Sequence, residues 1–360
     1  MLTGLKDGLN QAMIDRLASM IAAVRGEVDI VVVSSGSIAE GLQRLGWHQR
    51  PHEIYKLQAA AAVGQMGLIQ AYETAFGAHG IKTAQVLLTS DDLDNRKRYL
   101  NARSTLTALL NFGVVPVINE NDTVITEEIQ FGDNDTLAAL VANLLEAEYM
   151  ILFTDKDGLY DRNPDLYDDA RLIDRVKAGD ARLEEFAGAG GVLGRGGMLT
   201  KVRAAQKAAR SGTRTVIAAG TRDDVLKGLL NGQVHGTLFE PASGPIAARK
   251  RWLAGQMRVS GRLILDDGAV RVLKAAGRSL LPVGVTAVEG EFERGALVAC
   301  FDRVGMEIAR GLINYASTDA VRIAGFASER IEAILGYIDE PELIHRDNMV
   351  LVADPADTLV

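Results

Sequence analysis

Residues 29–36 read DIVVVSSG: four consecutive β-branched residues, then two serines and a glycine. A strand with no polar alternation is expected where helices cover both faces of a parallel sheet. The small polar residues after Val33 mark a turn out of that strand. Upstream, QAMIDRLASMIAAVR (11–25) sets Ile14, Leu17, Ile21 and Val24 at helical spacing, and Gly26 ends the helix. The strand pattern recurs in TAQVLLTS (83–90), GVVPVINEND (113–122), YMILFTDKDG (149–158) and TRTVIAAG (213–220), each closing on polar or glycine residues. Leu137, Leu140, Val141, Leu144 and Leu145 give a helical pattern between two of them. Alternating strands and helices predict an α/β fold, an open, mostly parallel sheet sandwiched by helices. Ligands of such sheets bind beyond the carboxyl ends of the strands.

The pattern changes near residue 245. GPIAARKRWLAG (244–255) reads as a linker with a basic cluster at Arg249, Lys250 and Arg251. GRLILDD, VTAVEGEF, ALVACFD and EIARGLINYA then follow as short, closely spaced strands, the mark of a small β-rich domain. The expected division is 1–245, a linker at 246–259, a β-rich domain at 260–338 and a tail at 339–360.

In 360 residues, 48% are hydrophobic and 24% charged, the balance of a globular protein with a sizeable core. A net charge of −8 argues against bulk affinity for nucleic acid. Cys300 is the single cysteine, so no internal disulfide forms, and its setting in ALVACFD predicts a buried structural thiol. The MLTGLKDGLN start lacks a signal peptide's apolar segment, and no stretch is apolar enough to span a membrane, so a cytoplasmic location is expected. The five histidines are scattered and no metal-ligand spacing occurs, so no protein-borne metal site is expected.

Chemistry-bearing residues collect at the strand ends. Ser34–Ser37 offers hydroxyls and backbone N–H groups that suit an anion, or an ordinary helix cap. Asn119–Asp122, NEND, suits a zwitterionic ligand, with Asp122 able to pair with an ammonium group. Asp133, Asn134 and Asp135 precede an amphipathic helix; one of them suffices to cap it, and the surplus points to function. TDKDGLYDRNP (154–164) is a tight turn that a plain loop also explains. GRGGMLTK (194–201) lacks the spacing of both the Walker A loop and the dinucleotide fingerprint. Next to a helix beginning TKVRAAQ, however, it brings glycines, free N–H groups and the Lys201 ammonium together, which suits polyphosphate.

Together VSSGSIAEG (33–41), QAAAAVGQ (58–65), LNARSTLTALL (100–110), VPVINENDTV (115–124), FGDNDTLAAL (131–140), TDKDGLYDRNP and GRGGMLTK resemble the glutamate 5-kinases of the amino acid kinase family. GRSLLPVGV (277–285), GEFERGALV (290–298) and RIAGFASERIEAILGY (322–337) resemble the PUA domain often appended to them. The resemblance implies ATP-dependent phosphorylation of the γ-carboxylate of L-glutamate to L-glutamyl 5-phosphate, the first step towards proline. It implies ATP with Mg²⁺, glutamate held by Ser35, Asp122 and Asn134, and nucleotide bound by Thr154, Asp155 and Arg195, Gly196, Gly197, Met198, Leu199, Thr200 and Lys201. Lys201 would stabilise the phosphoryl group in transfer, with Asp135 organising the catalytic lysines. Feedback inhibition by proline, hand-over to glutamate-5-semialdehyde dehydrogenase and a homo-oligomer are implied as well.

Two departures stand out. The family opens with a strand bearing a Lys-x-Gly-Ser or Lys-x-Gly-Thr motif that this sequence lacks, and the gene is expected to read upstream into such a strand. Arg195 stands where the family usually has threonine. A different reading, a degenerate kinase with a regulatory or RNA-binding role, rests on that missing strand and the PUA-like segment.

Overall fold

The computed structural model describes residues 3–4, 8–125, 134–188, 197–242 and 259–352. The chain forms two compact units, Met1–Leu93 with Arg103–Pro245, and Asp94–Ala102 with Ile246–Val360.

In the first unit the strand Val32–Val33 pairs in parallel with Val115–Glu120, which pairs in parallel with Thr83–Leu88 on its other side. A second sheet runs Tyr149–Thr154, Arg214–Ala219, Thr237–Glu240, Arg175–Lys177, parallel except where Arg214–Ala219 meets Thr237–Glu240. All six residues of Val115–Glu120 are buried, as are five of the six in Arg214–Ala219. Each of these two strands has a neighbour on both sides, so the uninterrupted apolar pattern matches the pairing. Thr237–Glu240 and Arg175–Lys177 are short strands that the sequence pattern does not reveal.

The helix Gln11–Val24 starts at Asn10, whose side chain accepts from the Met13 N–H, and buries Ile14, Ala18, Ile21 and Val24. Ile14, Ala18 and Ile21 join Val32, Leu68, Tyr72, Phe76, Val115 and Val117 in one core. A second core joins Ala139 and Ala142, on the helix Asn134–Leu145, to Met150, Leu152 and Ile217 on the strands and to Val202, Ala204 and Ala205. The last three lie on the helix Gly197–Ala208. That helix therefore begins within GRGGMLTK: Gly197–Lys201 are its opening residues, not the end of a loop.

The helices Ser37–Arg44 and Ile54–Gly77 approach through glycine. A Cβ on Gly41 would overlap the Ala60 carbonyl oxygen, and one on Gly64 would overlap that of Ser37. Gly36, at φ 109, makes the turn into the first of these helices, a conformation that glycine adopts without strain.

In the second unit Val285–Glu289, Gly261–Leu265, Leu297–Phe301, Glu307–Leu312 and Met349–Leu351 form a five-stranded sheet in that order. A helix, Asp267–Ala276, follows the strand Gly261–Leu265 and is capped by the Asp266 carboxylate. Residues 339–352 are part of this fold: Leu343 and Ile344 are fully buried and Met349–Leu351 pairs with Glu307–Leu312. Cys300 lies buried in the same core, and burial pushes its thiol up to about 12. Among the described residues no helix is long and apolar enough to cross a membrane.

Candidate active site

The Ser34–Ser37 turn is the hub of the site. Ser34 is fixed by its N–H, which donates to the Ile118 carbonyl, and by its hydroxyl, 3.0 Å from that of buried Tyr72. Its own carbonyl accepts from the Asn134 side-chain amide. Three residues on, the Ser37 hydroxyl donates to Asp122 Oδ2 at 2.7 Å. Asp122 and Asn134, predicted to hold one ligand, are therefore both tied to a single four-residue turn. Ser35, the third residue predicted there, is exposed on that turn.

Burial raises the Asp122 carboxyl above its ordinary value, against the opposing pull of the Ser37 hydroxyl and the charge of Arg50. An ammonium ligand would favour the ionised form by supplying a charge at close range.

Asn134 and Asp135 open the helix Asn134–Leu145 and serve two different partners. Asn134 reaches the Ser34 turn. Asp135 accepts from Lys201 Nζ at 2.9 and 3.0 Å and from the Thr200 hydroxyl at 2.7 Å. Thr200 and Lys201 come from the start of Gly197–Ala208, whose first N–H groups have no carbonyl four residues back within the helix. Backbone N–H groups of the first turn, a fixed ammonium and the positive end of the helix form a donor set that fits a nucleotide's phosphates. Thr154 and Asp155 form their own pair at the end of Tyr149–Thr154, with the threonine hydroxyl donating at 3.1 Å. Arg195 and Gly196 lie outside the described residues. Among the described residues no group of three or more His, Cys, Asp or Glu could hold a metal ion.

Three participants go beyond the predicted site. Ser37 holds Asp122. Asn119 Oδ1 accepts from Asn134 Nδ2 at 3.0 Å, and Asn119 Nδ2 donates to Gln65 Oε1 at 2.8 Å. Ser37 and Asn119 stand within polar clusters that the sequence singles out. Gln65 closes the QAAAAVGQ stretch, and its partner is visible only in three dimensions.

The sequence profile of the amino acid kinase family matches residues 3–219. The chain belongs to the amino acid kinase family. Within this family a glutamate 5-kinase of Methylococcus capsulatus is 58% identical over 353 residues, spanning 98% of this chain and 94% of its own. One of Hahella chejuensis is 59% identical over 334 residues, or 92% of this chain and 86% of its own. The amino acid kinase segment is followed by a PUA domain, whose profile matches residues 261–335. A solved isopentenyl phosphate kinase aligns over 64% of this chain and 91% of its own, at 21% identity and a TM-score of 0.44.

Proposed function

We propose that the protein phosphorylates the side-chain carboxylate of L-glutamate with ATP, giving L-glutamyl 5-phosphate and ADP. One observation carries this reading: adjacent residues, Asn134 and Asp135, bind respectively the turn that also holds Asp122 and the ammonium of Lys201. An amino acid acceptor and a phosphoryl donor can thus be aligned by the first turn of one helix. The two glutamate 5-kinases, alike over nearly the full chain, support the same acceptor.

In the proposed reaction the α-ammonium of glutamate pairs with Asp122 and Asn134. The distal carboxylate is ionised at neutral pH and needs no general base. Its oxygen attacks the γ-phosphorus of ATP; the new O–P bond forms as the bond to the ADP oxygen breaks. Lys201, held in place by Asp135, offsets the charge carried by the phosphoryl oxygens in the transition state. Magnesium bound to the phosphates would neutralise further charge, with Gly197–Lys201 holding the nucleotide alongside Thr154, Asp155, Arg195 and Gly196.

Inhibition by proline, hand-over of the acyl phosphate to glutamate-5-semialdehyde dehydrogenase and a homo-oligomeric state belong to the same proposal and are carried by the sequence resemblance. The regulatory or RNA-binding alternative is not favoured, since the Lys201–Asp135 pair is retained and the likeness to glutamate 5-kinases extends over nearly the whole chain. The test is glutamate-dependent ADP release by the 360-residue chain and by a version extended upstream with a Lys-x-Gly strand. Release that needs L-glutamate is the expected result; none from either protein overturns the reading.

A further inference from the structure

The amides of Gln65, Asn119 and Asn134 form a chain with a direction. It is anchored at the Ser34 carbonyl, which has no hydrogen and can only accept, so Asn134 must turn its NH₂ group towards it. The same NH₂ donates to Asn119, which fixes the Asn119 oxygen on that side and the Asn119 NH₂ on the other. That NH₂ in turn requires an oxygen from Gln65. Reversing any one amide sets oxygen against oxygen or NH₂ against NH₂, so the network itself assigns every orientation.

The arrangement leaves Gln65 Nε2 buried without a hydrogen-bond partner among the described residues. Such an orphan donor is unfavourable, and a leucine would fill similar space without it. Gln65 is thus a poor choice for packing and a suitable one for presenting an oxygen to Asn119. At the far end both hydrogens of the Asn134 amide are engaged, so Asn134 offers any ligand an acceptor, its Oδ1. Asp122, held on the same turn by Ser37, offers a second. Two acceptors match an ammonium group and not a carboxylate.

We propose that Gln65, acting through Asn119, is a positioning residue that keeps Asn134 Oδ1 turned towards the substrate's α-ammonium group, and so sets selectivity for an amino acid over its desamino analogue. This rests on the proposed use of L-glutamate. Without the Gln65 oxygen, Asn119 can reverse. Its NH₂ then meets the Asn134 NH₂, and that repulsion works against the direction the Ser34 carbonyl sets.

The test compares binding of L-glutamate and glutarate, which lacks only the amino group, by calorimetry for the wild type, Gln65→Leu, Gln65→Glu and Asn119→Asp. Gln65→Leu is expected to cut the preference for glutamate about tenfold or more, with the KM for ATP unchanged. Gln65→Glu keeps the oxygen that Asn119 needs. Asn119→Asp still accepts from Asn134, with Gln65 reversed to donate. Both are expected to retain most of the preference, and retention by either one, set against its loss in Gln65→Leu, supports the relay. An unchanged preference in Gln65→Leu, or equal loss in all three variants, overturns it. A wild type that binds neither acid overturns the functional reading as well, whereas glutamate-selective binding that is indifferent to Gln65→Leu overturns the relay alone.

Discussion

Lys201 and Asp122 are held by their neighbours in opposite electrostatic settings. The ammonium of Lys201 is fixed by the Asp135 carboxylate, with Thr200 bonded to the same acid. Lys201→Met is therefore expected to lower kcat by roughly 10²–10³-fold, the usual effect of losing one preorganised group at a developing charge. The KM for glutamate should change little, and ADP-release kinetics read both. The Asp122 carboxyl is raised by burial, so as pH falls it takes up a proton earlier than an ordinary aspartate. The ionised form pairs with the substrate ammonium, so the KM for glutamate should rise as pH falls through that raised value. Asp122→Asn should give a high KM with little pH dependence, read from glutamate titrations across the acid range. An acid whose pKa is raised by folding adds stability below its unfolded value and loses that contribution as pH rises. The asparagine variant should therefore not melt earlier at neutral pH. The clusters at 34–37, 119–122 and 133–135 are legible in the sequence because runs of polar residues at strand ends exceed what turns require. Their pairing is not legible: Gln65 and Asn119 are 54 positions apart, and Ser34 and Asn134 are 100 apart.

Two glycines decide how close the helices Ser37–Arg44 and Ile54–Gly77 come. Gly64→Ala would press a methyl group into the Ser37 carbonyl, a backbone atom that cannot move aside like a side-chain tip. Overpacking of this kind costs about 1–3 kcal/mol. The melting temperature should fall, and because Ser37 carries Asp122, the KM for glutamate should rise with it. Thermal denaturation and kinetics on one preparation test both. The sequence marks the four six-residue strands of the first unit because their apolar runs are continuous. It does not mark Arg175–Lys177 and Thr237–Glu240, three and four residues long, since so short a run has no period to recognise. It also hides the start of Gly197–Ala208: Gly197, Met198, Leu199 and Thr200 read as the end of a glycine-rich loop, yet the buried face of Val202, Ala204, Ala205 and Ala208 holds the helix whose first turn they form.

The two compact units have separate cores, and a lesion in one should leave the other's chemistry intact. In the second unit the Tyr315 hydroxyl accepts from the N–H groups of Asp339 and Glu340 and donates to the Glu340 carbonyl. Tyr315→Phe removes these three hydrogen bonds, each worth about 0.5–1.5 kcal/mol. The expected outcome is earlier unfolding of that unit with unchanged glutamate kinetics, followed by calorimetric melting and ADP release. Cys300 makes such opening visible. With no exposed surface and burial holding it in the thiol form at neutral pH, it should resist maleimides and aromatic disulfide reagents while the sheet is closed. As the chain's sole sulfhydryl it is a built-in stopwatch: without any added label, the colour released by Ellman's reagent would count, molecule by molecule, how often the PUA sheet comes apart.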